Sequence, residues 1–186
     1  LVYPQGTRLD GSNHWNTYPP GGENKSEALD YQFVEEMLAV LSADYNIDAS
    51  RVYATGYSNG GDFTHTLACF ISDKVAAIAA VSGSMWTETR NGCVVEHPTA
   101  VMSMQGTLDP LRPIDGIEGY MLSVSAMTDY WRGVNNITAD ATLTEFSDSG
   151  MNIQRYQFDG GDGGVQQVHY VMNRGGHDWF SFTEDG

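Results

Sequence analysis

Lysine is almost absent from this sequence. Lys25 and Lys74 are the only two in 186 residues, and Lys plus Arg number 9 against 24 Asp plus Glu, a formal charge of −15. Binding to nucleic acid or to an anionic membrane depends on cationic side chains neutralising phosphate, so this balance argues against both. A neutral or locally cationic small-molecule substrate suits it better. Cysteine is scarce too: Cys69 and Cys93 stand 24 residues apart with no C-x-x-C or other zinc spacing, which argues against a thiolate metal site. The residues alone leave open one disulfide or two buried thiols. No apolar run approaches the roughly 18 residues that a membrane-spanning helix needs, and no charged-then-apolar leader opens the chain. The chain starts at Leu1 rather than Met, pointing to processing, trimming or a gene fragment.

The remaining composition, 41% hydrophobic and 18% charged, is that of a globular chain. At this length roughly 70% of the unfolded surface can be buried, and neither a repeat nor a linker interrupts the sequence, so residues 1–186 are expected to form one domain. Leu1–Tyr3 reads as a short strand ended by Pro4-Gln5-Gly6. Residues 7–26 read as a polar, Gly- and Pro-rich surface loop. Apolar residues at Phe33, Val34, Met37, Leu38 and Leu41 recur at helical spacing within 28–45. Arg51–Tyr57 is β-prone, and Phe63–Ser72 is helical in pattern. Val75–Ser82 and Ala100–Met104 are the continuous apolar runs of strands buried on both faces. A helix over 116–132 and strands near 141–146, 154–158 and 165–172 follow. Strands alternating with helices predict an α/β fold with a mostly parallel sheet and helices on both faces.

Gly56-Tyr57-Ser58-Asn59-Gly60 is a G-x-S-x-G lying between a predicted strand and a predicted helix, with Gly61 extending it. In that context the glycines permit a crowded turn that lifts the serine hydroxyl above the sheet. Ser58 is therefore the candidate nucleophile. A serine hydroxyl is unreactive until a base takes its proton, so a histidine and an orienting carboxylate must follow on later strand-end loops. Asp109 follows Ala100–Met104 through Gln105-Gly106-Thr107, at the carboxyl end of a strand, where open α/β sheets place their sites. Asp115 lies deeper in the same loop and reads as a helix cap. His177 follows a strand through Arg174-Gly175-Gly176, where two glycines let a loop curl back over the site. His65 reads as a partly buried helix residue, His169 as a strand residue, and His14 and His97 as loop residues.

Taken together, Arg51–Gly61, Ala76–Gly83 (AAIAAVSG), Gly106-Thr-Leu-Asp-Pro110, Gly175-Gly-His-Asp-Trp179 and the early Tyr3–Gly6 with Trp15-Asn16 resemble the polyhydroxybutyrate depolymerase and feruloyl esterase group of α/β-hydrolases. The resemblance covers most of the chain. It implies an α/β-hydrolase fold with Ser58 as nucleophile, Asp109 as acid and His177 as base, a disulfide between Cys69 and Cys93, no metal or cofactor, and secretion or a periplasmic location. It further implies hydrolysis of carboxylic esters, of feruloyl and related aryl or short-chain type, with acetylxylan or polyester as alternatives. A non-catalytic binding remnant of a hydrolase is the alternative from another class.

Such hydrolases carry, upstream, a strand and a His-Gly loop that supply half of the oxyanion hole, and this sequence begins after them. Only the Asn59 N–H is evident as an oxyanion donor. The expectation is that Leu1–Tyr3 shifts into the vacant sheet position and brings the Gln5 or Gly6 N–H to the site, or that a second chain fills the slot. A sheet edge left open favours a homo-oligomer. Trp15, Tyr57, Trp86 and Trp179, with Met85, are candidates for an acyl-binding wall. Asp159-Gly-Gly-Asp162-Gly-Gly reads as a hairpin loop rather than a calcium turn.

Overall fold

The computed structural model describes residues 1–18 and 26–181, so part of the predicted 7–26 loop, Lys25 included, and residues 182–186 lie outside the described residues. In chain order the elements are β1 (Arg8–Leu9), β2 (Ser12–Asn13), α1 (Asp30–Asp44), β3 (Tyr53–Tyr57), α2 (Asn59–Phe70), β4 (Ala77–Val81), α3 (Thr87–Gly92), β5 (Ala100–Gly106), α4 (Val124–Val134), β6 (Thr142–Asp148), β7 (Met151–Phe158) and β8 (Gln167–Met172). The main sheet has six strands in the order β3-β4-β5-β8-β7-β6. β3, β4, β5 and β8 run parallel, while β6 and β7 form an antiparallel hairpin beside β8.

Alternation along the strands divides the core. Ile78 and Val101 face α1, α2 and α4, where Phe63, Leu67, Met127 and the fully buried Trp131 fill one layer. Strand residues of opposite parity, Val81, Ile153, Tyr170 and Met172, face the other way and are covered by Phe180. The first layer carries buried polar groups as well. His65 accepts the Trp131 Nε1–H at 3.2 Å, and Ser103 Oγ bonds His169 Nδ1 at 2.7 Å. Burial pushes His65 down to about 3 and His169 down to about 4, so both are neutral in the fold.

The structure departs from the sequence expectations in several places. Leu1–Tyr3 is not a strand; these residues are exposed and unpaired with the main sheet, whose terminal strand on that side is β3. Three residues cannot repay the entropy of ordering when no apolar face buries them. The loop over 7–26 contains the small β1–β2 hairpin, turned by Asp10 and Gly11 at positive φ. α2 starts at Asn59, not Phe63, because the chain enters the helix directly from the elbow at Ser58. The helix expected over 116–132 is α4, which begins only at Val124, with Ser123 as its cap through a bond from Ala126 N at 3.1 Å. Asp115 therefore caps nothing there; the preceding residues form a turn in which Met121 bridges both Trp86 and Ile117. The β7–β8 connection carries Asp159–Gly164 as an irregular hairpin loop containing a short 3-10 turn at Asp162–Gly164.

Cys69, near the end of α2, and Cys93, after α3, are joined as a disulfide with a Cα–Cα distance of 4.8 Å.

Candidate active site

β3 delivers Ser58 to the site in a backbone conformation that few residues adopt. Ser58 has φ 53° and ψ −121°, between the last residue of β3 and the first of α2. The turn is so tight that a Cβ on Gly56 would collide with the Gly60 carbonyl, and one on Gly83 would come within 2.6 Å of the Gly61 backbone. Only glycine fits at those crossings. Ser58 N donates to Val81 O at 3.0 Å, which ties the elbow to β4.

The other two predicted residues converge on this hydroxyl. His177 Nε2 lies 2.8 Å from Ser58 Oγ, and His177 Nδ1 lies 2.8 Å from Asp109 Oδ2. A carboxylate can only accept, so Nδ1 carries the proton and Nε2 is left to accept from the serine O–H. The remaining Asp109 oxygen, Oδ1, accepts the backbone N–H groups of Leu111 and Arg112, each at 2.8 Å. Burial works to raise the Asp109 pKa, but the Arg112, His177 and Leu111 bonds outweigh it and hold the carboxyl below its usual range. Asp109 is thus an anion aimed at the imidazole. A hydroxyl so arranged can lose its proton to Nε2 as it attacks an electrophilic carbon.

The histidine loop is fastened from several sides. Tyr57 Oη donates to His177 O at 2.7 Å, Ser82 Oγ to Asp178 O at 2.8 Å, and Arg174 N to Thr107 Oγ1 at 2.8 Å. Gly106 lies flat against Gly175, where a side chain would strike the backbone.

A cleft of about 620 Å³ opens over Ser58, lined among others by Tyr3, Gln5, Gly6, His14, Trp15 and Tyr57. Trp15 and Tyr57 therefore take the positions expected of wall residues, and Gln5 lies along the same cleft although Leu1–Tyr3 forms no strand. Trp86 and Trp179 do not line it. Trp86 is half-buried against Met121, and Trp179 is exposed, edge-on to Tyr57 at 6.4 Å. Met85 is fully buried in the core. The loop before α3 turns inward there, which removes Met85 from the cleft wall expected of it. The first N–H groups of α2, Asn59 among them, have no partner within the helix and are available to an anion at the elbow. Among the described residues no group of three or more His, Cys, Asp and Glu is arranged to hold a metal.

Two arrangements escaped the sequence reading. The Asn59 side chain accepts Trp15 N at 2.6 Å and donates to Trp15 O at 2.9 Å, while the Trp15 ring stacks on Phe63 at 4.7 Å. The cleft wall is thereby pinned to the first turn of α2. Asp62, one turn further along, is buried and takes the Arg112 guanidinium on both oxygens, with the shortest contact at 2.6 Å. The only signals in sequence were an acid just before a helical run and an arginine three residues beyond Asp109.

The architecture settles the fold. This chain has the α/β-hydrolase fold. It superposes on a Bacillus cereus carboxylesterase with a TM-score of 0.57 at 16% identity, covering 95% of this chain and 66% of that one. No protein-family model matches the chain. In sequence the chain is 30% identical over 125 residues to a bifunctional acetylxylan esterase/xylanase of Neocallimastix patriciarum, covering 59% of this chain and 18% of the relative. It is 29% identical over 150 residues to a probable feruloyl esterase C of Aspergillus niger, covering 80% of this chain and 50% of the relative. The chain therefore spans half or less of the length of these relatives.

Proposed function

We propose that this α/β-hydrolase is a serine carboxylesterase acting on feruloyl or related aryl and short-chain esters. The observation that carries the reading is the continuous relay Ser58 Oγ–His177–Asp109, with both links at 2.8 Å, mounted on a strained elbow. In this reading His177 takes the Ser58 proton as Oγ attacks the ester carbonyl, and Asp109 holds the imidazole in the productive tautomer. The Asn59 N–H, with the Gln5 or Gly6 N–H along the cleft, receives the oxyanion. His177 then protonates the departing alcohol, and water, activated by the same imidazole, releases the acid from the acyl-serine. No metal or cofactor enters this scheme.

The aromatic edge of the cleft, Tyr3, Trp15 and Tyr57, supports an aryl acyl group, and the names of the relatives, feruloyl esterase and acetylxylan esterase, agree with ester chemistry. The disulfide supports a secreted or periplasmic setting, since such bonds persist in oxidising compartments. β3 ends the sheet with Tyr53 exposed beside it, and this open edge supports a homo-oligomer. Gel filtration with light scattering tests that part: a purely monomeric profile across micromolar concentrations would remove it.

The deciding experiment is hydrolysis of p-nitrophenyl acetate and methyl ferulate by the wild type and by Ser58→Ala. Turnover by the wild type is expected, with kcat falling in the alanine variant by roughly 10⁴-fold or more. Equal rates in the two proteins would overturn the esterase reading in favour of a binding role.

A further inference from the structure

The relay does not stop at Asp109. Arg112 donates its backbone N–H to Asp109 Oδ1 at 2.8 Å, and its side chain grips Asp62 through Nε at 3.0 and 3.1 Å and Nη2 at 2.6 Å. Asp62 Oδ1 also accepts Ser84 N at 2.8 Å, from the loop after β4. Asp62 N in turn donates to Ser58 O at 2.9 Å. The connections therefore close on themselves, from Ser58 through His177, Asp109, Arg112 and Asp62 back to Ser58. The Asp62 carboxylate is fully removed from solvent and the Arg112 side chain is 14% exposed, so water neither screens nor substitutes for this link. A guanidinium presents a rigid fork that fixes direction as well as distance, which an ammonium does not.

We propose that Arg112 and Asp62 are positioning residues: a buried strap that holds the acid loop on the nucleophile helix, so that Asp109, and through it His177, keeps its alignment with Ser58. The inference rests on the esterase reading for its kinetic consequence but not for its structural one. It gives a role to a charged pair that lies in the interior, outside the residues lining the cleft over Ser58. A neutral, well-packed pair would hold the loop at least as stably, but would not orient it through a two-pronged contact.

Arg112→Met alone would strand a buried carboxylate, so the test uses Asp62→Asn/Arg112→Met, which leaves no uncompensated charge and keeps an acceptor for Ser84 N. The readouts are kcat and KM for p-nitrophenyl acetate, the thermal midpoint, and the far-downfield proton resonance of the His177 Nδ1–H bonded to Asp109. The expected result is a folded protein whose kcat falls about tenfold to a hundredfold. KM should change less than about threefold, and the downfield proton should be lost or broadened. Arg112→Lys is expected to fall between the wild type and the double variant. A double variant with wild-type kcat and an intact downfield proton would overturn the proposal and leave the pair a packing element. Were the wild type itself to lack Ser58-dependent turnover, the esterase reading would fail, while retention or loss of the downfield proton would still decide the strap.

Discussion

Ser58 pays for its position with a backbone conformation that a β-strand or helix would not impose, and the neighbours that tolerate it are glycines whose missing side chains are filled by other backbone. At Gly56 and Gly106 the occupant is the carbonyl of another glycine, Gly60 and Gly175 respectively, so no side-chain rearrangement can make room. Gly56→Ala and Gly106→Ala are expected to abolish the proposed hydrolysis of p-nitrophenyl acetate or folding, read by activity and circular dichroism, whereas Gly60→Ala, whose Cβ would meet nothing within 4 Å, should fold. The buried histidines make a second prediction at this scale. His65 at about 3 and His169 at about 4 lie below the unfolded value of about 6.5, so the unfolded chain binds more protons as pH falls. Stability should decline from about pH 6.5 downward, by ~1.4 kcal/mol per pH unit for each histidine, until each reaches its folded pKa. Asp109, with its lowered pKa, adds loss in the same direction at still lower pH. Urea midpoints between pH 7 and pH 4 check this, and His65→Gln/His169→Gln should flatten the slope.

Elements decide how these residues meet. α2 matters beyond carrying Ser58, because its first turn pins the cleft wall through Asn59 and the acid loop through Asp62. α4 closes the layer beneath it with Trp131, which is fully buried and bonded to His65. Trp131→Ala should cost about 3–5 kcal/mol of unfolding free energy, since it opens a large cavity and leaves His65 without its donor. The segment before α1 depends on polar contacts as well as on the stacked Trp15. Buried Asn16 takes Asp30 through its N–H and holds Ser26 and Ala28 O through its amide. Asn16→Ala should lower stability by roughly 1–3 kcal/mol, measured by chemical denaturation, because the side-chain bonds to Ser26 and Ala28 are lost together while the backbone bond to Asp30 remains. These hubs were illegible in sequence. In sequence Asn16 stands out only as the neighbour of Trp15, and nothing in the spacing of Asn16, Ser26 and Ala28 foretells that one side-chain amide joins them.

At the scale of the whole molecule the Cys69–Cys93 bond ties the end of α2 to the chain entering β5, the strand that leads to Asp109. Closing a loop of this length constrains the unfolded chain by about 3 kcal/mol, which corresponds to a thermal midpoint higher by roughly 6–12 °C. Reduction by dithiothreitol, or Cys69→Ala/Cys93→Ala, should lower the midpoint by that amount. The charge of −15 acts at this scale too, with its repulsion spread over the surface, and moderate salt should raise stability by screening it.

Local chemistry determined much of this protein before any fold was known. The G-x-S-x-G between a β-prone run and a helical one, the Gly-Thr-Leu-Asp after an apolar run and the Gly-Gly-His after the strand pattern of 165–172 each mark a strand end, because strand patterns and glycine turns are properties of short segments. That was enough for the α/β class and for the order Ser58, Asp109, His177. What the tertiary structure alone decided is which side chains share a space. It left Leu1–Tyr3 off the sheet, sent Met85 into the core and Trp86 and Trp179 away from the cleft, and joined Asp62 to Arg112 across 50 positions. Those outcomes depend on crossings between distant segments, where packing and the burial of charge act on atoms that no local pattern brings together.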